Sequence, residues 1–128
     1  MMRILIDTNI LIDYLRIENK KDSAFYKLFL NEGKIPVISH VSITELYAGK
    51  SSLNKKAEKL IEDLVEIVEA IYPDKTISKK TGEILRQTGG KISFQDAQIA
   101  ACAIINGLPI FTKNKKDFAK IQGIRFFN

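Results

Sequence analysis

The chain has 128 residues, 45% of them hydrophobic and 27% charged, with a net charge of +5 and a pI near 9.3. That size suits one core, so residues 1–128 are expected to form a single domain, and the composition excludes a fibrous, repetitive or disordered chain. No apolar run approaches the ~18 residues of a membrane helix, and the first residues do not read as a signal peptide. Cys102 is the only cysteine, which excludes an internal disulfide and makes a reducing, cytoplasmic setting the expectation. The positive charge leans weakly toward a polyanionic partner.

Residues 3–7 read as a short, buried strand that ends on a carboxylate, Asp7, and residues 8–16 then take helical spacing. Phe25, Leu28 and Phe29 keep one apolar stripe over a helix at 23–32, closed by Gly33. Residues 35–39 predict a second strand, followed by a helix over 42–50. The clearest helix carries Ala57, Leu60, Ile61, Leu64, Val65 and Val68 at steps of three and four, with Lys and Glu opposite. A short strand over 67–72 stops at Pro73, and a helix over 75–87 breaks at Gly89 and Gly90. Residues 94–106 are apolar almost all round, which predicts a buried helix, and "NGLP" stops it tightly. Residues 109–112 and 124–127 predict two more strands, the last at an edge. Strands alternating with helices imply an α/β fold: a mostly parallel sheet flanked by helices in three layers.

With the C-terminal ends of the parallel strands placed at the top, Asp7 ends the first strand there. Glu45 falls in the first turn of the helix after the second strand. Asp96 begins the buried helix that must descend to strand 109–112, and Asp117 follows that strand. Four acids from remote segments therefore converge on the rim where open α/β sheets bind ligands. Capping is the better explanation of any one of them alone: Ser42 and Glu45, Ser93 and Asp96, and Asn114 and Asp117 all have the spacing of a capping box, and Asp7 suits an N-cap. Convergence is what capping does not explain. Two carboxylates ~4 Å apart repel by roughly 4 kcal/mol at an effective dielectric near 20. Several such pairs would cost much of a stability of about 5–15 kcal/mol. Either protons or a cation must sit among them, and oxygen ligands without nearby His or Cys suit Mg²⁺ or Mn²⁺.

The stretches "ILIDTNILIDYL", "SITELYAG" and "DAQIAACAIINGLPIFTKNKKDF", in this order, resemble the PIN domain, in particular the VapC-type toxins of toxin–antitoxin pairs. The resemblance spans essentially the whole chain. It implies a metal-dependent endoribonuclease whose acidic quartet is Asp7, Glu45, Asp96 and Asp117, with Asn9, Thr112 and Asn114 in support. It also implies hydrolysis that leaves 5′-phosphate and 3′-hydroxyl ends, a homodimer, and a small antitoxin seated in an apolar groove near Leu46, Tyr47, Leu15 and Phe25. Lys113 stands where the family often has Arg, which keeps the charge and loses the planar contact with phosphate.

Other features carry less. Lys113, Lys115, Lys116 and Lys120 surround Asp117; as a solvated face they need no function, and as RNA-binding residues they would border the rim. "AGKSS" echoes a phosphate-binding loop, but Thr44 stands where its first glycine should be. His40 reads as a loop histidine, Cys102 as core, Asp13 as a solvated or supporting carboxylate, and Lys55 and Lys59 as solubilising; Arg86 could reach the site. The other readings are a PIN nuclease without an antitoxin and a catalytically silent RNA- or protein-binding module. A phospho-acceptor domain lacks its acceptor: the corresponding stretch, "GKSSLNKKAEKL", contains no Asp.

Overall fold

The structure is a computed structural model that describes residues 2–49 and 54–128. Its frame is four parallel strands, β1 (Arg3–Ile6), β2 (Ile35–Ser39), β3 (Glu69–Ile71) and β4 (Ile110–Phe111), in the order β3-β2-β1-β4. The period-two rule sorts β1 between two cores. Leu5 points to one face, where it meets Val37 and Ile110; Ile4 and Ile6 point to the other, with Ile38. The register Leu5↔Val37 on one side and Leu5↔Ile110 on the other explains why this strand is apolar on both faces.

Each face is covered by helices. The Leu5 side packs α4 (Lys75–Thr88) and α5 (Phe94–Ile105), which lie against each other. In α4 the buried residues Ile77, Thr81, Ile84 and Thr88 form a stripe one residue wide, whereas α5 is buried from Ala97 to Cys102 and Ala103 on every side. The Ile4 and Ile6 side packs α1 (Thr8–Arg16), a π-helical turn Tyr26–Asn31, part of α2 (His40–Ala48), and α3 (Lys55–Ile67). A 3₁₀ turn Lys20–Asp22 and a one-turn helix α6 (Lys115–Phe118) complete the described elements. No described helix is long and apolar enough to cross a membrane.

Three expectations change. The helix after β2 starts at His40, not at 42, because Ser39 accepts the N–H of Val41 and takes the cap; His40 is thus a helical residue. The helix expected at 23–32 winds as a π-helix over most of its length, with Gly33 after it at φ 74°. Residues 124–127 make only a bridge, Phe126 beside Ile110, with backbone bonds from Ile110 N–H to the Arg125 carbonyl and from Phe127 N–H to the Ile110 carbonyl. The part of "AGKSS" from residue 50 onward lies outside the described residues.

Candidate active site

The strand ladder sets the first acid. The Asp7 N–H donates to the Phe111 carbonyl at 3.0 Å, which places Thr112, the next residue along, beside the Asp7 carboxylate. Asp7 has extended backbone and caps α1: its Oδ1 accepts the Thr8 N–H at 2.8 Å, and its Oδ2 accepts the Thr112 hydroxyl at 2.7 Å. Capping and site placement are therefore the same geometry. Only 4% of Asp7 is exposed, and burial raises its pKa although both hydrogen bonds oppose the shift.

Glu45 lies in the second turn of α2, beyond reach of a capping role, so Ser42 and Glu45 are not a capping box. Ser42 is buried, with its hydroxyl 2.8 Å from that of Thr8, and Thr8 donates to Glu45 Oε1 at 2.8 Å. Thr8 thus links Asp7 to Glu45. Thr8 escaped the sequence reading, and Ser42 entered it only as a cap. The available signal was their position, one residue after Asp7 and three before Glu45.

Asp96 is in the first turn of α5, with Ser93 accepting its N–H at 3.1 Å. Its pKa is pushed up to about 6, first by burial and then by the charges of Asp7, Glu45 and Asp117. The other three acids therefore lie within electrostatic reach of Asp96. Asp117, in α6, shifts the opposite way: Asn114 donates to it at 3.0 Å and Lys120 pairs with it at 3.4 Å, and these lower its pKa, with Lys116 adding a weaker pull. Thr112 joins the two halves, since its hydroxyl oxygen also accepts the Asn114 N–H at 2.9 Å. Asn9 is exposed and hydrogen-bonds to none of the four.

Among the described residues no Lys or Arg pairs with Asp7, Glu45 or Asp96. Nor, among the described residues, do three or more His, Cys, Asp or Glu side chains form a group that could hold a metal ion. The donors on the rim are carboxylate and hydroxyl oxygens. The Cys102 thiol is buried in the core with its pKa pushed up to about 12, and the His40 ring lies 6.4 Å from that of Tyr72. The lysines are mostly committed: Lys113 pairs with Asp13, Lys115 donates to the Asn128 side chain at 2.6 Å, and Lys120 holds Asp117. Among the described residues Lys115 and Lys116 have no ion pair, whereas Lys113 and Lys120 each have one.

The parallel sheet with acids gathered above its C-terminal edge defines a known class: the PIN domain family matches residues 4–124, and the chain belongs to it. Within that class it resembles VapC endonucleases. It is 33% identical to the tRNA(fMet)-specific endonuclease VapC of Shigella flexneri, over 98% of this chain and 96% of that protein. It superposes on the DNA-bound VapBC of Salmonella typhimurium with a TM-score of 0.81 at 26% identity, covering 99% of this chain and 98% of that one. A toxin–antitoxin complex from Klebsiella pneumoniae follows, with a TM-score of 0.75 at 25% identity over 94% of each chain.

Proposed function

We propose that this chain is a divalent-metal-dependent endoribonuclease, the toxin of a toxin–antitoxin pair. In this reading residues 1–128 are one nuclease domain, Asp7, Glu45, Asp96 and Asp117 are its catalytic, metal-holding residues, and Mg²⁺ or Mn²⁺ is its cofactor. The observation that carries it is the state of Asp96. A carboxyl with its pKa raised to about 6, first by burial and then by three other acids from remote segments of the chain, marks a concentration of negative charge that folding alone does not reward. The donors on the rim are carboxylate and hydroxyl oxygens with no His or Cys among them, which fits a hard cation such as Mg²⁺ or Mn²⁺.

When bound, such an ion supplies an activated water and offsets the charge that builds on a phosphate under in-line attack. The chain's own groups fix where it binds. The Thr8 N–H and the Thr112 hydroxyl each occupy one Asp7 oxygen from opposite sides and lock the carboxylate in one orientation. The Thr8 hydroxyl fixes Glu45, and Asn114 with Lys120 fixes Asp117. Asp96 is the acid with the weakest hold on its negative charge, so it gains most from a cation.

An antitoxin would find two small adjoining clefts of about 40 Å³ each near α1, α2 and α3, with the apolar Ile12, Leu15, Leu46, Leu60 and Ile61 and the charged Arg16 and Glu45 in their walls. Phe25 is fully buried and takes no part in them. The proposal includes a cytoplasmic homodimer. The test is incubation of the pure protein with end-labelled RNA, with Mg²⁺ or Mn²⁺ and then with excess EDTA. Cleavage leaving 5′-phosphate and 3′-hydroxyl ends, abolished by EDTA, is the expected result. Intact RNA under both metals would overturn it, as would cleavage indifferent to EDTA.

A further inference from the structure

Beside the rim, α4 faces the 119–123 segment across a cleft of about 390 Å³ lined by Lys80, Glu83, Ile84, Arg86, Gln87, Gln122 and Gly123. A second cleft of about 320 Å³, lined by Gln87, Thr88, Lys91 and Lys120, shares Gln87 with the first. Gln87 also ties the two walls together: its side-chain amide donates to the Lys120 carbonyl at 3.3 Å, and its carbonyl oxygen accepts the Gln122 N–H at 3.4 Å. The joint cleft begins at the rim, because Lys120 is the residue paired with Asp117. Its charge is four cations, Lys80, Arg86, Lys91 and Lys120, against Glu83, which pairs with Lys80 at 3.9 Å. Arg86 and Lys91 have no ion pair among the described residues. Phe94, the first residue of α5, lies in the chain three residues after Lys91 and two before Asp96, and its ring is 58% exposed without being part of the lining of either cleft.

We propose that this cleft is a track for single-stranded RNA running to the acidic rim, with Lys80, Arg86, Lys91 and Lys120 on its phosphates and Phe94 stacked on a base. Cations spaced along a groove with an aromatic platform at one end are the two elements of single-strand binding. A protein partner fits the cleft poorly. Ile84 is its only aliphatic lining residue and is buried, whereas the cleft between α1 and α3 presents several apolar anchors. The inference rests on the nuclease reading of the rim but is tested apart from it.

The test is fluorescence anisotropy of an unstructured RNA 12-mer in EDTA, where no metal-dependent cleavage intervenes. The variants are the pair Arg86→Glu with Lys91→Glu, the single Phe94→Ala, and a charge-matched pair on α3, Lys55→Glu with Lys56→Glu, each checked by thermal unfolding. The cleft pair should weaken binding at least about tenfold and flatten the salt dependence by ~1.4 in log–log slope, near 0.7 for each lost phosphate. Phe94→Ala should cost about tenfold with the salt slope unchanged, as expected for one stacked base. The α3 pair should bind as the wild type does. Equal losses in the cleft and α3 pairs would mean that net charge alone attracts RNA, and undiminished binding by the cleft pair would leave the cleft to another ligand; either overturns the track. Failure of the nuclease reading looks different: wild-type RNA binding intact, the track confirmed, and no cleavage under any metal.

Discussion

Asp96 and Asp117 share a side chain and a rim, yet their pKa values move in opposite directions. Asp96 is half-buried, has three acids as electrostatic neighbours and no cation partner, and rises to about 6. Asp117 is partly exposed, accepts from Asn114 and pairs with Lys120, and its pKa falls below its ordinary value. The rim thus has a side that the chain balances itself and a side, Asp7, Glu45 and Asp96, that it leaves to something else. In a metal-free protein the second side is a liability, and stored repulsion of this kind is characteristic of functional sites.

The largest way to break this contrast is Asp96→Asn. It keeps the shape, removes the charge and, with the cation site lost, should lower cleavage by on the order of 10³-fold or more, about 4 kcal/mol of transition-state stabilisation. The same variant should be more stable than the wild type in EDTA near pH 7.5, because the repulsion goes with the charge. Single-turnover RNA cleavage and thermal unfolding on the same preparations check the pair of outcomes. Loss of activity with loss of stability would mean that Asp96 is a structural residue.

Thr112→Val sharpens the contrast from the other end. Valine fills the same space but withdraws the hydroxyl from the carboxylate of the buried Asp7 and from the Asn114 N–H. The expected cost is ~1–3 kcal/mol, read by denaturant unfolding, with a further rise in the Asp7 pKa visible by NMR titration.

The sign of the pH dependence follows from the same two sides. An acid whose pKa is higher folded than unfolded favours the fold below its unfolded value, and that contribution is lost as pH rises through the folded one. For Asp96 the window runs from its ordinary 3.8 to about 6, and Asp7 has the same sign. Asp117 has the opposite sign: it contributes above its ordinary value and loses that as pH falls through its depressed folded pKa. Metal-free stability should therefore decline from pH 4 to pH 6.5, by on the order of 1 kcal/mol once solvent screening of a half-exposed group is allowed for. Melting curves in EDTA should show the decline in the wild type and little of it in Asp96→Asn. A flat wild-type profile would remove the case for uncompensated charge.

Four of the strands and the chain positions of three of the acids were legible because they follow from short-range patterns: an apolar run that stops on Asp7, a buried helix with Asp96 in its first turn, and a strand expected over 109–112 and found at Ile110–Phe111, which Asp117 follows. Glu45 was legible as a rim residue and misread as to its turn. Ser39 and Ser42 are equally good caps in sequence, and only the burial of Ser42 against Thr8, 34 residues away, decides between them. Residues 124–127 have strand composition but too little backbone pairing to extend β4 beyond one bridge. The lysine partners were illegible for the same reason as Ser42. Lys113 pairs across 100 residues with Asp13, a contact that no local spacing announces. Thr8 was hidden by its own neighbour, since the adjacent Asp7 already accounted for the start of the helix.

That Lys113–Asp13 pair gives the smallest prediction and separates the two kinds of lysine on the rim. Both partners are more than 45% exposed, at 62% and 48% of their side chains, so solvent screens the attraction and side-chain ordering offsets much of it. Lys113→Ala should change stability by no more than about 0.5–1 kcal/mol, and the change should vanish in high salt. Lys120→Ala acts on a rim acid instead: it should raise the Asp117 pKa toward its ordinary value and carry that acid part of the way toward the behaviour of Asp96. Carboxyl titrations of both variants by NMR, against Asp13 and Asp117, distinguish the cases. If Lys113→Ala moved the Asp96 titration as far as Lys120→Ala moves that of Asp117, the two sides of the rim would be one electrostatic unit, and the division between a balanced and an unbalanced side would fail.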